Sequence, residues 1–249
     1  MVFCGYRVRM KPQALIFDVD GTLADTERDG HRVAFNLAFE EAGLPWRWDV
    51  DLYGELLAVT GGKERMTHYA RLHAPELVAR PEFDTLIRKL HTLKTQHYVH
   101  LVQAGRLPLR PGVAALIRDA RAAGIRLAIA TTTSPENVVA LLRASLAPDA
   151  EGWFEVIGAG DVVPAKKPAP DIYHWVLERL ALPAVACLAL EDSENGVKAS
   201  RGAGLPTLVT ENDYTRGQDF AGALAVLPDL GHTTLADIHV IFDKSLSTT

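Results

Sequence analysis

Leu15-Ile16-Phe17-Asp18-Val19-Asp20-Gly21-Thr22-Leu23-Ala24 is the stretch from which both the fold and the chemistry of this chain are read. The apolar run Ala14-Leu15-Ile16-Phe17 has the length and bulk of a buried central strand. It brings Asp18 and Asp20 to the strand's carboxyl end, where Gly21 and Thr22 turn the chain. In an open parallel sheet that end is where ligands bind. Acids at i and i+2 of a strand point the same way. Held in one cleft they repel, and a divalent cation with hard oxygen ligands relieves the repulsion. One carboxylate can then attack an electrophile while its neighbour handles a proton. An Asp-x-Asp-Gly turn alone is equally compatible with a solvated loop. The decision rests on what the rest of the chain places at the same edge.

The chain has 249 residues, room for one large or two modest domains. It is 48% hydrophobic and 23% charged with a formal net charge of −5, an ordinary soluble globular composition. There is no basic excess of the kind nucleic-acid binding needs, and no nucleic-acid partner is expected. No stretch reaches the ~18 apolar residues that span a bilayer, so no membrane association is expected either. The first nine residues are too short and mixed for a secretory signal and read as an extension, or an upstream start before Met10. Cys4 and Cys187 cannot make a disulfide framework, which points to a reduced, cytoplasmic compartment.

Beyond the acidic strand, Val33, Phe35, Leu37, Phe39 and Ala42 fall at helical spacing and Gly43-Leu44-Pro45 closes the helix. From there to about Val102 the patterns are helical, with no convincing strand. Leu107-Pro108-Leu109-Arg110-Pro111-Gly112 marks a linker back into alternating structure. Helix 113–123, strand 125–130, a helix from Pro135, strand 156–158, helix 171–180, strand 187–190, helix 195–203 and strand 207–209 then follow. The alternation predicts an α/β fold: a Rossmann-like core with a parallel sheet plus an inserted all-helical domain. Residues 10–27 and 106–249 are assigned to the core and 28–105 to the insertion. The tail after Leu230 is weakly patterned and is expected only to dock or fray.

Each later strand also ends in polar groups. Strand 125–130 runs into Thr131-Thr132-Thr133-Ser134-Pro135. Ser134-Pro135 reads as an N-cap and first-turn pair, and hydroxyls and N–H groups at such a turn suit phosphoryl oxygens. Strand 156–158 leads to Lys166-Lys167-Pro168, whose proline restrains the backbone after Lys167. Strand 187–190 ends in Glu191-Asp192-Ser193. Those groups can cap the next helix, with Asp192 or Ser193 as the cap, or complete a metal site with the first acidic pair. Convergence of all four at one sheet edge argues for a catalytic site.

In that order and spacing, Asp18-Val19-Asp20-Gly21-Thr22, Thr131, Lys167-Pro168 and Glu191-Asp192 resemble the four motifs of the haloacid dehalogenase-like hydrolases over about residues 13–230. The helical insertion is similar to that family's mobile cap. Asp25-Thr26-Glu27, Trp46-Arg47-Trp48, Gly61-Gly62-Lys63-Glu64-Arg65, Lys94-Thr95-Gln96-His97-Tyr98 and Ala128–Thr133 resemble the CbbY group within it. The resemblance implies a phosphatase acting on a phosphorylated sugar, xylulose-1,5-bisphosphate, an inhibitory by-product of Rubisco in Calvin-cycle carbon fixation.

It further implies Asp18 as nucleophile and Asp20 as acid and base. Thr131, Thr132 and Lys167 would hold the phosphoryl oxygens. Mg²⁺ would be held by Asp18, the Asp20 carbonyl and Asp192, with Glu191 orienting the ligands. Glu27, Tyr53, Lys63, Arg65 and Lys94, with His91, are the candidate sugar and second-phosphate contacts. Thr133 to Asn137 are further candidates for the non-reacting phosphate. One departure stands out: relatives place a histidine three residues after the Glu27 position, whereas His31 follows by four, with Gly30 between. This reads as a one-residue insertion or an altered role. A monomer or weak homo-oligomer is expected. The rivals are a phosphomutase of the beta-phosphoglucomutase type and a phospho-accepting receiver domain. The helical insertion and Asp20 argue against the receiver, and the second aspartate argues against dehalogenation.

Overall fold

The computed structural model describes residues 10–245 and contains strands β1 (Ala14–Phe17), β2 (Arg126–Ala130), β3 (Val156–Gly158), β4 (Cys187–Glu191), β5 (Thr207–Thr210) and β6 (Ala225–Leu227). They form one sheet, all parallel, in the order β3-β2-β1-β4-β5-β6. The order reverses around β1, so the crevice at its carboxyl end is the switch point where such sheets bind ligands. Phe17 is in register with Ile129 and with Leu190. Asp18, Thr131 and Glu191-Asp192 therefore leave the sheet at nearly one level. β1 is buried on both faces and its side chains alternate. Leu15 and Phe17 enter one apolar cluster, Ala14 and Ile16 the other.

Between β1 and β2 the described residues hold only helices: α1 (Arg32–Glu41), α2 (Val50–Leu56), α3 (Gly62–His73), α4 (Pro75–Val78), α5 (Phe83–Gln103) and α6 (Val113–Ala122). The first five enclose an aromatic-rich core of their own, with Phe35, Phe39, Trp46, Trp48, Tyr53 and Met66 buried in it. The 21-residue α5, about 32 Å long, joins this core to the sheet. Its first half buries Phe83, Ile87 and Leu90 among the helices, and its last turns bury Tyr98 and Val102 against the main core. Lys94, 4% exposed, lies between the two.

The remaining helices are α7 (Pro135–Ser145), α8 (Asp171–Leu180), α9 (Glu194–Gly202) and α10 (Leu235–Ser245). α6, α7 and α10 cover one face of the sheet, α8 and α9 the other. The predicted strands and helices are found with ends moved by at most a residue or so; β4, for instance, extends through Glu191. The chain after Leu230, expected to dock or fray, docks. It forms a regular helix that buries Ile238 and Phe242 on the main core, and β6 adds a short edge strand before it. Cys4 and the possible start at the N-terminus lie outside the described residues.

The Phe242 side chain is 1% exposed, so Phe242→Ala should lower stability by about 3–5 kcal/mol through lost burial and an unfilled cavity. Urea unfolding of the two proteins measures this. A change below about 1 kcal/mol would mean that α10 is only a frayed appendage.

Candidate active site

Asp18 follows β1 directly, and its backbone N–H donates to the Leu190 carbonyl at 3.0 Å. The Lys167 ammonium donates to Asp18 Oδ1 at 2.7 Å and to Glu191 Oε1 at 2.6 Å, and all three groups are buried. The Tyr173 hydroxyl donates to the same Glu191 oxygen, while Glu191 Oε2 is buried with no partner. Asp18, Glu191 and Asp192 can each present an oxygen within 4.8 Å of the others. Three carboxylates thus surround one ammonium.

Burial pushes the Asp18 carboxyl up, and Glu191 and Asp20 add to the rise against the pull of Lys167, leaving it at about 7. Burial, with Asp18 and Glu191, raises Asp192 well above the carboxylate range. Lys167 would be lowered by burial, but Asp18 and Glu191 raise it above an ordinary lysine. The negative charge is under-compensated, and Glu191 Oε2 has no hydrogen-bond partner. This donor set fits a hard divalent cation. Gly21 makes room for it. Its φ is +87°, and a Cβ there would collide with Asp192 Oδ2.

Asp20 occupies a different environment. Its Oδ1 accepts from the Thr26 hydroxyl at 2.5 Å and lies 2.7 Å from His31 Nε2. His31 Nδ1 lies 2.8 Å from Lys94 Nζ. An ammonium only donates, so Nδ1 accepts and Nε2–H donates to Asp20. Burial would raise the Asp20 carboxyl, yet His31, Thr26 and Lys94 together lower it to about 2.

Glu27–His31 form a π-turn running straight into α1. Such a turn accommodates one inserted residue without breaking the helix. It leaves both Glu27 and His31 facing the site. Gly30 keeps the turn closely packed: a Cβ there would stand 2.7 Å from Leu107 Cδ1 and 3.2 Å from Tyr98 Cε2, and those side chains would have to shift.

A cavity of about 540 Å³ opens over these groups and is lined on the sheet side by Asp18, Asp20, Thr131, Thr132, Lys167 and Asp192. Glu27 and Arg65 line its helical side. The Tyr53 hydroxyl donates to Glu27 and accepts from Arg65 Nη1 at 2.9 Å, so these three hold one another in place. A second cavity of about 310 Å³ shares Thr132 with the first and is lined by Lys63, His91, Ser134 and Lys166. There Lys63 and Lys166 both pair with Asp161. Lys94 borders neither cavity and reaches the site only through His31. Thr133 also borders neither; its hydroxyl accepts from Asn137 Nδ2 at 3.0 Å. Ser134 stands at the N-cap of α7, but its hydroxyl makes no capping bond. Ser193 does cap α9, accepting from the Gly196 N–H at 3.2 Å.

Three residues that bond to the site carried no signal in the sequence: Tyr173 donates to Glu191, Arg110 to the Gly21 carbonyl and Asn212 to Asp192. Tyr173 looked like one more apolar position of α8. Arg110 looked like part of a linker, and Asn212 follows β5 in a stretch without a pattern.

Residues 12–204 match the family described as hydrolase, haloacid dehalogenase-like hydrolase. The plasmid protein CbbY of Cupriavidus necator is 55% identical over 219 residues, 88% of this chain and 86% of that one. A phosphorylated carbohydrates phosphatase of Thermotoga maritima is 31% identical, over 78% of this chain and 82% of that one. Among solved structures, a mutant CbbY of Rhodobacter sphaeroides in complex with xylulose-(1,5)bisphosphate is 46% identical. It superposes with a TM-score of 0.84 over 91% of this chain and 99% of that one.

Burial, partly opposed by Asp20 and Glu27, lowers Lys94 from 10.5 to about 8. Between those pH values the folded chain binds fewer protons at this site than the unfolded chain, so stability rises with pH across the window. Relative to Lys94→Met, the wild type should gain on the order of 3 kcal/mol from pH 8 to 10.5. Paired denaturant titrations read this difference, and parallel pH profiles would contradict it.

Proposed function

Because the chain belongs to the haloacid dehalogenase-like hydrolases and is of the CbbY type, we propose that it hydrolyses xylulose-1,5-bisphosphate to the monophosphate and inorganic phosphate with Mg²⁺ as cofactor. Family and relatives together make this enzyme a phosphatase of phosphorylated sugars. The observation that supports a bisphosphate is the larger cavity, which has a buried cation on each side. Lys167, with Asp18 and Thr131, stands on its sheet side and Arg65 on its helical side, whereas the lysines of the smaller cavity pair with Asp161 beside Glu64 and Glu136. A substrate with a phosphate at each end suits that layout.

Asp18 attacks phosphorus, forming the aspartyl P–O bond as the bond to the sugar oxygen breaks. Asp20 delivers a proton to the departing oxygen. It then takes one from the water that cleaves the acyl phosphate, so each turnover consumes one water and restores both carboxyl groups. The Thr26 and His31 bonds both go to Asp20 Oδ1, which leaves Oδ2 for this exchange. In this arrangement Asp20 is anionic, the form that acts as the base. For the acid step Oδ2 must first take up a proton from solvent, while His31 and Thr26 hold Oδ1. Lys167 and the Thr131 hydroxyl neutralise and orient the equatorial oxygens. Asp18, Asp192 and the Asp20 carbonyl would hold Mg²⁺, with Glu191 supporting. The cation, when bound, supplies the positive charge that lets a carboxylate approach a phosphate dianion.

Residues 28–105 act in this reading as the cap, whose Arg65 meets the sugar together with Glu27 of the core; Tyr53, buried and bordering neither cavity, holds these two in place. Lys94 then works through His31, orienting Asp20, and the protein works in the cytoplasm.

Phosphate release from a panel of sugar mono- and bisphosphates with Mg²⁺ tests the proposal. Asp18→Asn should lose more than about 10³-fold of turnover, and Asp20→Asn should bind substrate yet stall. Arg65→Ala should raise KM for the bisphosphate by roughly tenfold or more, with a small generic ester much less affected. Near-normal release by Asp18→Asn, or a need for a bisphosphate primer, would overturn the hydrolytic reading.

A further inference from the structure

Asn212 stands just beyond β5, outside every motif that marks the site. Its Nδ2 donates to Asp192 Oδ2 at 2.7 Å, and among the described residues it is the one hydrogen-bond donor to that carboxylate. The direction of the amide is settled by its other end. Asn212 Oδ1 accepts from the backbone N–H of Tyr214 at 2.9 Å and of Thr215 at 3.2 Å, so the NH₂ group must face Asp192. A side-chain oxygen closing a turn on the residues that follow is a rigid local device.

The loop is tied down on every side. The Asn212 N–H donates to Thr215 Oγ1 at 2.9 Å, and the Arg216 N–H donates to the Asn212 carbonyl at 2.9 Å. Beneath it the buried Arg110 guanidinium donates to the carbonyls of Thr210 at 2.9 Å, Glu211 at 2.6 Å and Pro228 at 2.8 Å. The same guanidinium donates to the Gly21 carbonyl, in the turn that follows Asp20. Gly21 is also where a side chain would strike both Asp192 Oδ2 and, at 2.6 Å, Asn212 Nδ2. Arg110 therefore fixes two loops relative to each other. One carries Asp18 and Asp20, and the other carries the amide that orients Asp192.

We propose that Asn212 is a positioning residue for the cation, holding Asp192 in its ligating orientation from a loop clamped by Arg110. This inference rests on the cation site of the preceding section and adds to it the group that orients one ligand. Without the amide, Asp192 has no hydrogen bond to hold it against rotation toward Lys167. Outer partners of this kind commonly change metal affinity by about 10–100-fold when removed.

The test is calorimetric titration of Mg²⁺ into the metal-free full-length protein, with thermal unfolding of each variant in parallel. Asn212→Ala should weaken Mg²⁺ binding by about tenfold or more. Thr215→Val removes a loop bond but keeps the amide, and should bind Mg²⁺ within about twofold of wild type. If Asn212→Ala binds Mg²⁺ like wild type while Asp192→Asn does not bind it, the positioning role is wrong and the cation site stands. An equal loss in Thr215→Val and Asn212→Ala would assign the effect to the loop and overturn the role. If Asp192→Asn binds Mg²⁺ as tightly as wild type, the cation site itself is wrong and this inference falls with it.

Discussion

Crowding of like charge at the end of β1 is the constraint on which the rest of this structure depends. Asp18, Glu191 and Asp192 are each less than a tenth exposed, and Lys167 is the one ammonium buried among them. In a low-dielectric pocket such an arrangement is costly unless each charge is paired or a cation is shared. The surrounding fold is arranged to tolerate it. The parallel sheet brings three strand ends to one level, Tyr173 satisfies one Glu191 oxygen, and Gly21 removes the side chain that would displace Asp192. The same frustration that lowers stability makes the site a strong receptor for positive charge.

The second theme is the separation of two aspartates that stand two residues apart. Asp18 is pushed up to about 7, whereas Asp20 is drawn down to about 2. Burial works against the charge of both; the partners decide the difference. Asp18 shares its lysine with Glu191, while Asp20 has a hydroxyl, an imidazole and a nearby ammonium to itself. Those partners come from the helical segment between β1 and β2, so the environment of Asp20 depends on how that segment packs. α5 carries Lys94 at the seam between the two apolar cores, where its stem is covered and its ammonium stands about 5 Å from the rings of Phe35 and Tyr98. Movement of the helices would reach Asp20 through His31.

Much of this was legible in the chain itself. Apolar runs of four to five residues alternating with helical periods specify a parallel α/β sheet, because each pattern buries its face in only one way. The acidic, hydroxyl and lysine groups were legible because each directly follows a strand, and strand ends in such a sheet share one edge. α10 was hard to read because its apolar face is narrow, chiefly Ile238 and Phe242, and its burial depends on α6 lying beneath it. β6 has three residues and half-exposed side chains, too few for a period to emerge.

What the sequence determined alone was local: which segments are strands or helices, and which reactive groups sit at their ends. Tertiary structure decided everything that requires two distant segments to meet. It wound Glu27–His31 into a π-turn whose His31 meets Asp20 on one side and Lys94 on the other. It moved Lys94 from a candidate ligand contact to a buried partner of His31. It brought Arg110 and Asn212, about a hundred residues apart and unmarked by any motif, into the same corner as Asp192. Hydrogen bonds of that kind leave no periodic trace, since one donor reaching one carbonyl places no demand on its sequence neighbours.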